Sequence, residues 1–105
     1  YNDTVYVYMN NVNDALRFEI RIYPQEIQRV RETYPGYTFE KEFEDGGINF
    51  DIFSKEESSG EYTYIMYFYY GKEKYIVIGR NDEERIRDIV IAYKNVILSH
   101  EGNQQ

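Results

Sequence analysis

The ten residues Glu61–Tyr70, EYTYIMYFYY, constrain this chain more than any other stretch. Side chains of a strand alternate between two faces. Tyr62, Tyr64, Met66, Phe68 and Tyr70 therefore fall on one side, and Thr63, Ile65, Tyr67 and Tyr69 on the other. Both sides are largely apolar or aromatic. Such a strand belongs in the middle of a sheet, or has one face closed by a partner. The rest of the chain must supply the neighbours that cover it.

Those neighbours are readable on either side. Thr4–Met9 alternates Val5, Val7 and Met9 against Tyr6 and Tyr8, and Leu16–Tyr23 sets Leu16, Phe18, Ile20 and Ile22 opposite Arg17, Glu19, Arg21 and Tyr23. The Asn-rich residues 10–14 between them suit a turn, so a hairpin is expected. Pro24 fits the first position of a helix. Ile27, Val30 and Tyr34 follow at helical spacing, and Pro35-Gly36 ends the element after about three turns. A meander is expected next, with Tyr37, Phe39 and Phe43 on one face and Thr38, Glu40, Glu42 and Glu44 on the other. Asp45-Gly46-Gly47 is a hairpin signal. Ile48, Phe50 and Ile52 then alternate with Asn49, Asp51 and Phe53, and 55–60 reads as a mobile acidic loop. After the aromatic strand, residues 71–74 turn into a strand over 75–78. Asn81 with Glu84 resembles a capping box. Ile86, Ile89, Val90, Tyr93, Val96 and Ile97 mark an amphipathic helix to about Leu98, before a polar tail expected to fray.

These elements predict a single α+β domain over residues 1–105. Its order is β-β-α-β-β-β-β-α: a mainly antiparallel sheet of about six strands with two helices packed on one face. The opposite face would then stay open, with rings at one part and carboxylates at another.

Charge is distributed unevenly. The 105 residues carry a net charge of −7, and residues 40–61 account for −6 of it. A nucleic-acid or anionic-membrane binder would show the opposite sign, so no direct nucleic-acid or membrane contact is expected. There are no cysteines, which removes disulfides and thiolate chemistry and favours a cytoplasmic location. No apolar run is long enough for a transmembrane helix, and the first residues lack the pattern of a signal peptide. Isoleucine outnumbers leucine twelve to two, and Tyr and Asn are abundant. That usage suits an AT-rich genome, such as that of a phage, a virus or a low-GC bacterium.

Two groups of residues could carry function. Glu40, Glu42, Glu44, Asp45 and Asp51 are the expected contacts to a protein partner with a basic surface, which they could block as a nucleic-acid mimic with fast electrostatic steering. As an alternative, Glu40, Glu42 and Asp51 could serve a metal-dependent, nuclease-like enzyme, although no calcium-loop pattern accompanies them. The plainest account of the same acids is a solvated polar face. Tyr6, Tyr8, Phe53, Tyr67 and Tyr69 form the expected self-association surface of a homodimer, because tyrosine buries area while keeping a polar tip. Stacking on nucleic-acid bases is the weaker use of those rings, since little positive charge accompanies them. Catalysis finds no constellation: His100 is the sole histidine, the serines have no evident base, and no phosphate-cradling glycine pattern occurs. The expectation is a small, acidic, cofactor-free, non-enzymatic binding module, of the kind a mobile element directs against a host protein.

Overall fold

A computed structural model describes residues 3–10 and 15–102, with side chains described over 16–100. Its strands are β1 (Asp3–Asn10), β2 (Ala15–Ile22), β3 (Thr38–Asp45), β4 (Ile48–Ser58), β5 (Glu61–Tyr70) and β6 (Glu73–Arg80), followed by one helix, α1 (Glu83–Gly102). All pairings are antiparallel and the sheet order is β1-β2-β6-β5-β4-β3. The five strands β2 to β6 carry the described side chains, and β1 adds to the β2 edge. The aromatic strand β5 is indeed internal, between β4 and β6.

Turn chemistry sets this register. Gly46 and Gly47 both have positive φ, 60° and 82°, as a two-residue hairpin turn of the primed type requires. One face of the sheet takes α1. Phe50, Ile52, Met66, Phe68 and Val77 are buried there against Ile86 and Val90, and Tyr93 packs on Phe18, Phe68 and Tyr75 with ring centroids 5.3, 6.1 and 5.5 Å away. Gly79, inside β6, lets the helix approach. A Cβ there would lie 2.7 Å from Leu16 and 2.8 Å from Ile86.

Four expectations are corrected. The helix after Pro24 does not form, so the arrangement of two helices on one face reduces to one helix. Residues 23–37 instead run as an irregular strap across the other face, from β2 to β3 at the far edge of the sheet. Four strand spacings separate those strands, about 19 Å, and tertiary contacts along an extended path outweigh local helical spacing. Secondly, Phe39 and Phe43 do not share a face. A bulge between Phe39 and Lys41 resets the alternation, pairing Phe39 with Phe53 and Phe43 with Phe50. Thirdly, the acidic stretch 55–58 is not a loop, because β4 continues to Ser58. Lastly, the helix is capped one residue later than expected. Asp82 Oδ1 accepts the Arg85 N–H at 3.0 Å. Asn81, at φ 70°, extends the β5–β6 ladder: its N–H donates to Tyr62 O, and its side-chain oxygen accepts from Tyr62 N.

Candidate functional site

The strap face is built from cross-strand rows. One row runs Glu19, Ile76, Tyr67, Asp51, Glu42 across β2, β6, β5, β4 and β3. The adjacent row runs Arg21, Lys74, Tyr69, and the row on the other side runs Arg17, Ile78, Ile65, Phe53, Phe39. Charged groups are thus interleaved with rings and isoleucines on a face that the strap encloses. Glu19, Asp51 and Lys74 are each buried.

Buried charge persists only when paired and hydrogen-bonded. Here every one of the three is. Glu19 meets Arg17 at 2.8 Å and Arg21 at 3.4 Å. Asp51 meets the Arg29 guanidinium and accepts from the Tyr67 hydroxyl at 2.7 Å. Lys74 meets the Glu32 carboxylate, donates to the Tyr34 hydroxyl at 2.9 Å, and lies 4.0 Å from the centroid of the Tyr67 ring. Two of the strap's backbone groups are satisfied by tyrosine: Glu32 N–H donates to the Tyr67 hydroxyl, and the Tyr69 hydroxyl donates to Val30 O, both at 2.9 Å, while Tyr23 and Ile27 N–H donate to Lys72 O and Gly71 O. These bonds stand in for the intrahelical ones that the segment forgoes.

The electrostatics follow from enclosure. Burial pushes the Lys74 ammonium down from its ordinary value to about 7, with Arg21 acting in the same sense and Glu19 against it. Burial raises Tyr34, and it raises Tyr67 with help from the hydrogen bond to Asp51. Tyr69 is raised to about 12, mainly by desolvation.

This geometry redistributes the residues expected to act. Asp51 is wholly buried and paired, so it is not available to a partner. Glu42 lies on Arg29 at 3.0 Å and Arg31 at 3.4 Å, Glu40 accepts from the Ser54 hydroxyl, and Asp45 holds the Nζ of buried Lys94 at 2.7 Å. Glu44 is exposed. Of the three carboxylates of the metal alternative, Glu42 and Asp51 thus share the Arg29 guanidinium, and Glu40 is held apart on Ser54. Among the described residues, no group of three or more His, Cys, Asp or Glu is placed to hold a metal ion. Phe53 and Tyr67 are buried beneath the strap, stacked at 5.9 Å between centroids and capped by Tyr34. They do not form the open aromatic surface that the strand pattern implied. Tyr69 is half-buried. Tyr6 and Tyr8 pair with Glu19 and Arg17 in backbone register, but their side chains lie outside the described residues.

Beside the strap a cleft of about 510 Å³ remains. Its floor is Ile65, Ile76 and Ile78, and Tyr34, Pro35 and Tyr37 line the strap side. Arg17, Glu19, Arg21 and Arg80 supply its charge. Sequence reasoning missed this cleft and Lys74. The turn expected over 71–74 is confined to Gly71 and Lys72, and β6 begins at Glu73, which places Lys74 in the sheet. A usable signal was present in β2, where Arg17, Glu19 and Arg21 alternate as one charged row beside an apolar one.

Comparison with protein-family models, with curated proteins and with solved structures returned no match. No helix among the described residues is long and apolar enough to cross a membrane.

Proposed function

We propose that the chain is a non-enzymatic, cytoplasmic binding module that presents carboxylates along one edge of its sheet to a basic surface on a protein partner. The observation that carries this reading is the placement of the acids. Glu40, Glu42 and Glu44 are exposed on edge strand β3, and Glu56, Glu57 and Glu61 are exposed where the β4–β5 hairpin extends past the start of β3. Glu44, Glu56 and Glu61 make no salt bridge among the described residues, so their charge is available to steer a cationic partner. Part of this acidity also serves the fold: charge and a bulge on an edge strand discourage pairing with another chain. Blocking a basic groove of a host nucleic-acid-binding protein, as a phage or virus would require, is the role this surface suits. A homodimer is compatible only if it leaves the strap seated, because Phe53 and Tyr67 are already covered.

Reversal of charge at the hairpin tests the reading. Glu56→Lys with Glu61→Lys should abolish low-salt retention of basic proteins from a cell extract. Glu84→Lys with Asp88→Lys, on exposed helix positions, should retain the same proteins as wild type, and salt should release them. Equal loss in both variants, or retention indifferent to salt, would refute the proposed surface.

A further inference from the structure

The cleft beside the strap has a charge opposite to that of the molecule. The chain carries −7 overall, yet three arginines and one glutamate line this depression. Glu19 is already matched by Arg17 at 2.8 Å, and Arg21 is shared between Glu19 at 3.4 Å and Glu32 at 3.9 Å. Arg80 is exposed, sits across from Thr63 in the β5–β6 register, and has no salt-bridge partner among the described residues. Arg80 therefore brings a cation without a salt-bridge partner among the described residues to the cleft.

The sequence shows how the cleft arises. Tyr34-Pro35-Gly36-Tyr37 is a tight turn: Tyr37 N–H donates to Tyr34 O at 3.0 Å, with Gly36 at φ 85°. Proline at the second position and a positive-φ glycine at the third are what such a turn demands. Tyr34 reaches back over Tyr67 and Phe53, and the turn rims a depression over partly exposed Ile78. Ile65 and Ile76 are buried beneath it, in the cluster on which Tyr34 and Tyr37 pack. A mostly apolar concavity of several hundred cubic ångströms with a few convergent polar groups is the usual form of a small-molecule site.

We infer that this cleft binds a small amphipathic organic anion, its apolar body on Ile78 between the Tyr34 and Tyr37 rings and its acidic head on the Arg80 guanidinium. A guanidinium fork accepts a carboxylate, phosphate or sulfonate with two parallel hydrogen bonds. The neighbouring Arg17 and Arg21 add long-range attraction without giving up Glu19. This site is separate from the acidic β3 edge, so either can fail alone.

The test uses 8-anilinonaphthalene-1-sulfonate and its uncharged counterpart N-phenyl-1-naphthylamine as probes, with amide chemical shifts of the labelled protein as the map. The sulfonate should bind saturably at one site and shift the amides of Ile65, Ile78, Arg80 and Gly36, leaving α1 unmoved. Arg80→Glu, at an exposed position, should weaken the sulfonate at least tenfold and the neutral probe little. Ile78→Trp should fill the floor and remove both. Phenylacetate and phenyl phosphate, which share the aromatic body, should compete, and the better competitor identifies the preferred head group. Shifts confined to the helix face, non-saturable binding, equal weakening of both probes by Arg80→Glu, or competition by neither anion would overturn the assignment.

Discussion

On the helix side of the sheet, Phe50, Ile52, Met66, Phe68 and Val77 meet Ile86 and Val90, and the buried cation Lys94 is held by Asp45 at the β3–β4 turn. On the strap side, Glu19, Asp51 and Lys74 are buried within the layer itself, among Ile76, Tyr67 and Phe53. The two faces belong to the same strands and alternate residue by residue. One is held by contact area, the other by completed pairs. An apolar layer is non-directional, and its energy follows the area removed from water. A layer of buried pairs is directional and depends on every partner being present.

The largest expected effect lies on the helix side. Phe68→Ala opens a cavity at a wholly buried position between Phe50 and Tyr75 and should cost about 3–5 kcal/mol. Asp51→Ala on the strap side leaves the Tyr67 hydroxyl without its acceptor and the Arg29 guanidinium with Glu42 alone, and should cost about 1–3 kcal/mol. The readouts differ as well as the sizes. In native-state hydrogen exchange, Phe68→Ala should lower protection throughout the sheet. Asp51→Ala should lower it first in strap amides such as Glu32, which opens locally. Urea unfolding of both variants measures the energies. If Asp51→Ala lowered strap and sheet protection equally, the two faces would be one cooperative unit and the contrast would be lost.

The same contrast explains which parts of the molecule could be read beforehand. Leu16, Phe18 and Ile20 alternate cleanly, and Ile86, Val90 and Tyr93 recur at helical spacing. Both patterns are local, so the helix face was legible. The strap was not, because Ile27, Val30 and Tyr34 also recur at helical spacing although Val30 is 58% exposed. Nothing local reveals that residues 23–37 must reach from β2 to the far edge, or that tyrosine hydroxyls on β5 will satisfy two of their backbone groups. The bulge at Glu40 has no glycine or other local mark, yet it turned Phe39 toward the strap and left Phe43 toward α1. The acidic surplus was legible as a composition. Its division into buried, paired and available carboxylates depends on neighbours distant in sequence, such as Arg29 for Asp51 and Lys94 for Asp45.

A substitution at Gly79 sharpens the helix-side half of the comparison. The residue is in extended backbone rather than a left-handed conformation, so space alone decides the outcome. A methyl group would stand within 3 Å of both Leu16 and Ile86. Since the helix must move or those side chains must leave their rotamers, Gly79→Ala should destabilise by about 1–3 kcal/mol. Its thermal midpoint should fall with no change in strap protection relative to the sheet. A neutral or stabilising result would show that α1 sits loosely, and that area contact is not what holds this face.

Lys74 offers the smallest effect at neutral pH and the most direct test of the strap side. The groups facing it are Glu19 and Arg21 from β2, Tyr67 and Tyr69 from β5, and Glu32 and Tyr34 from the strap. Its ammonium is held near 7 in the folded chain against an ordinary 10.5. Between those values the unfolded chain binds a proton that the folded chain does not. Stability should therefore rise as pH increases from about 7 towards 10, and the penalty for charging the buried amine is fully present below that window. Above about pH 10 the trend reverses, because tyrosines ionise in the unfolded chain while Tyr34, Tyr67 and Tyr69 resist ionisation in the folded one. Lys74→Met keeps the length and apolar stem, and leaves Glu32, which is 28% exposed, able to take up water. The variant should differ from wild type by less than about 1 kcal/mol at pH 7, and should lose the rise in urea midpoint towards pH 10. A variant that kept that rise would place its source elsewhere. One that lost several kcal/mol at pH 7 would mean the Lys74–Glu32 pair holds the strap by attraction, rather than surviving there because rings and hydroxyls compensate its burial.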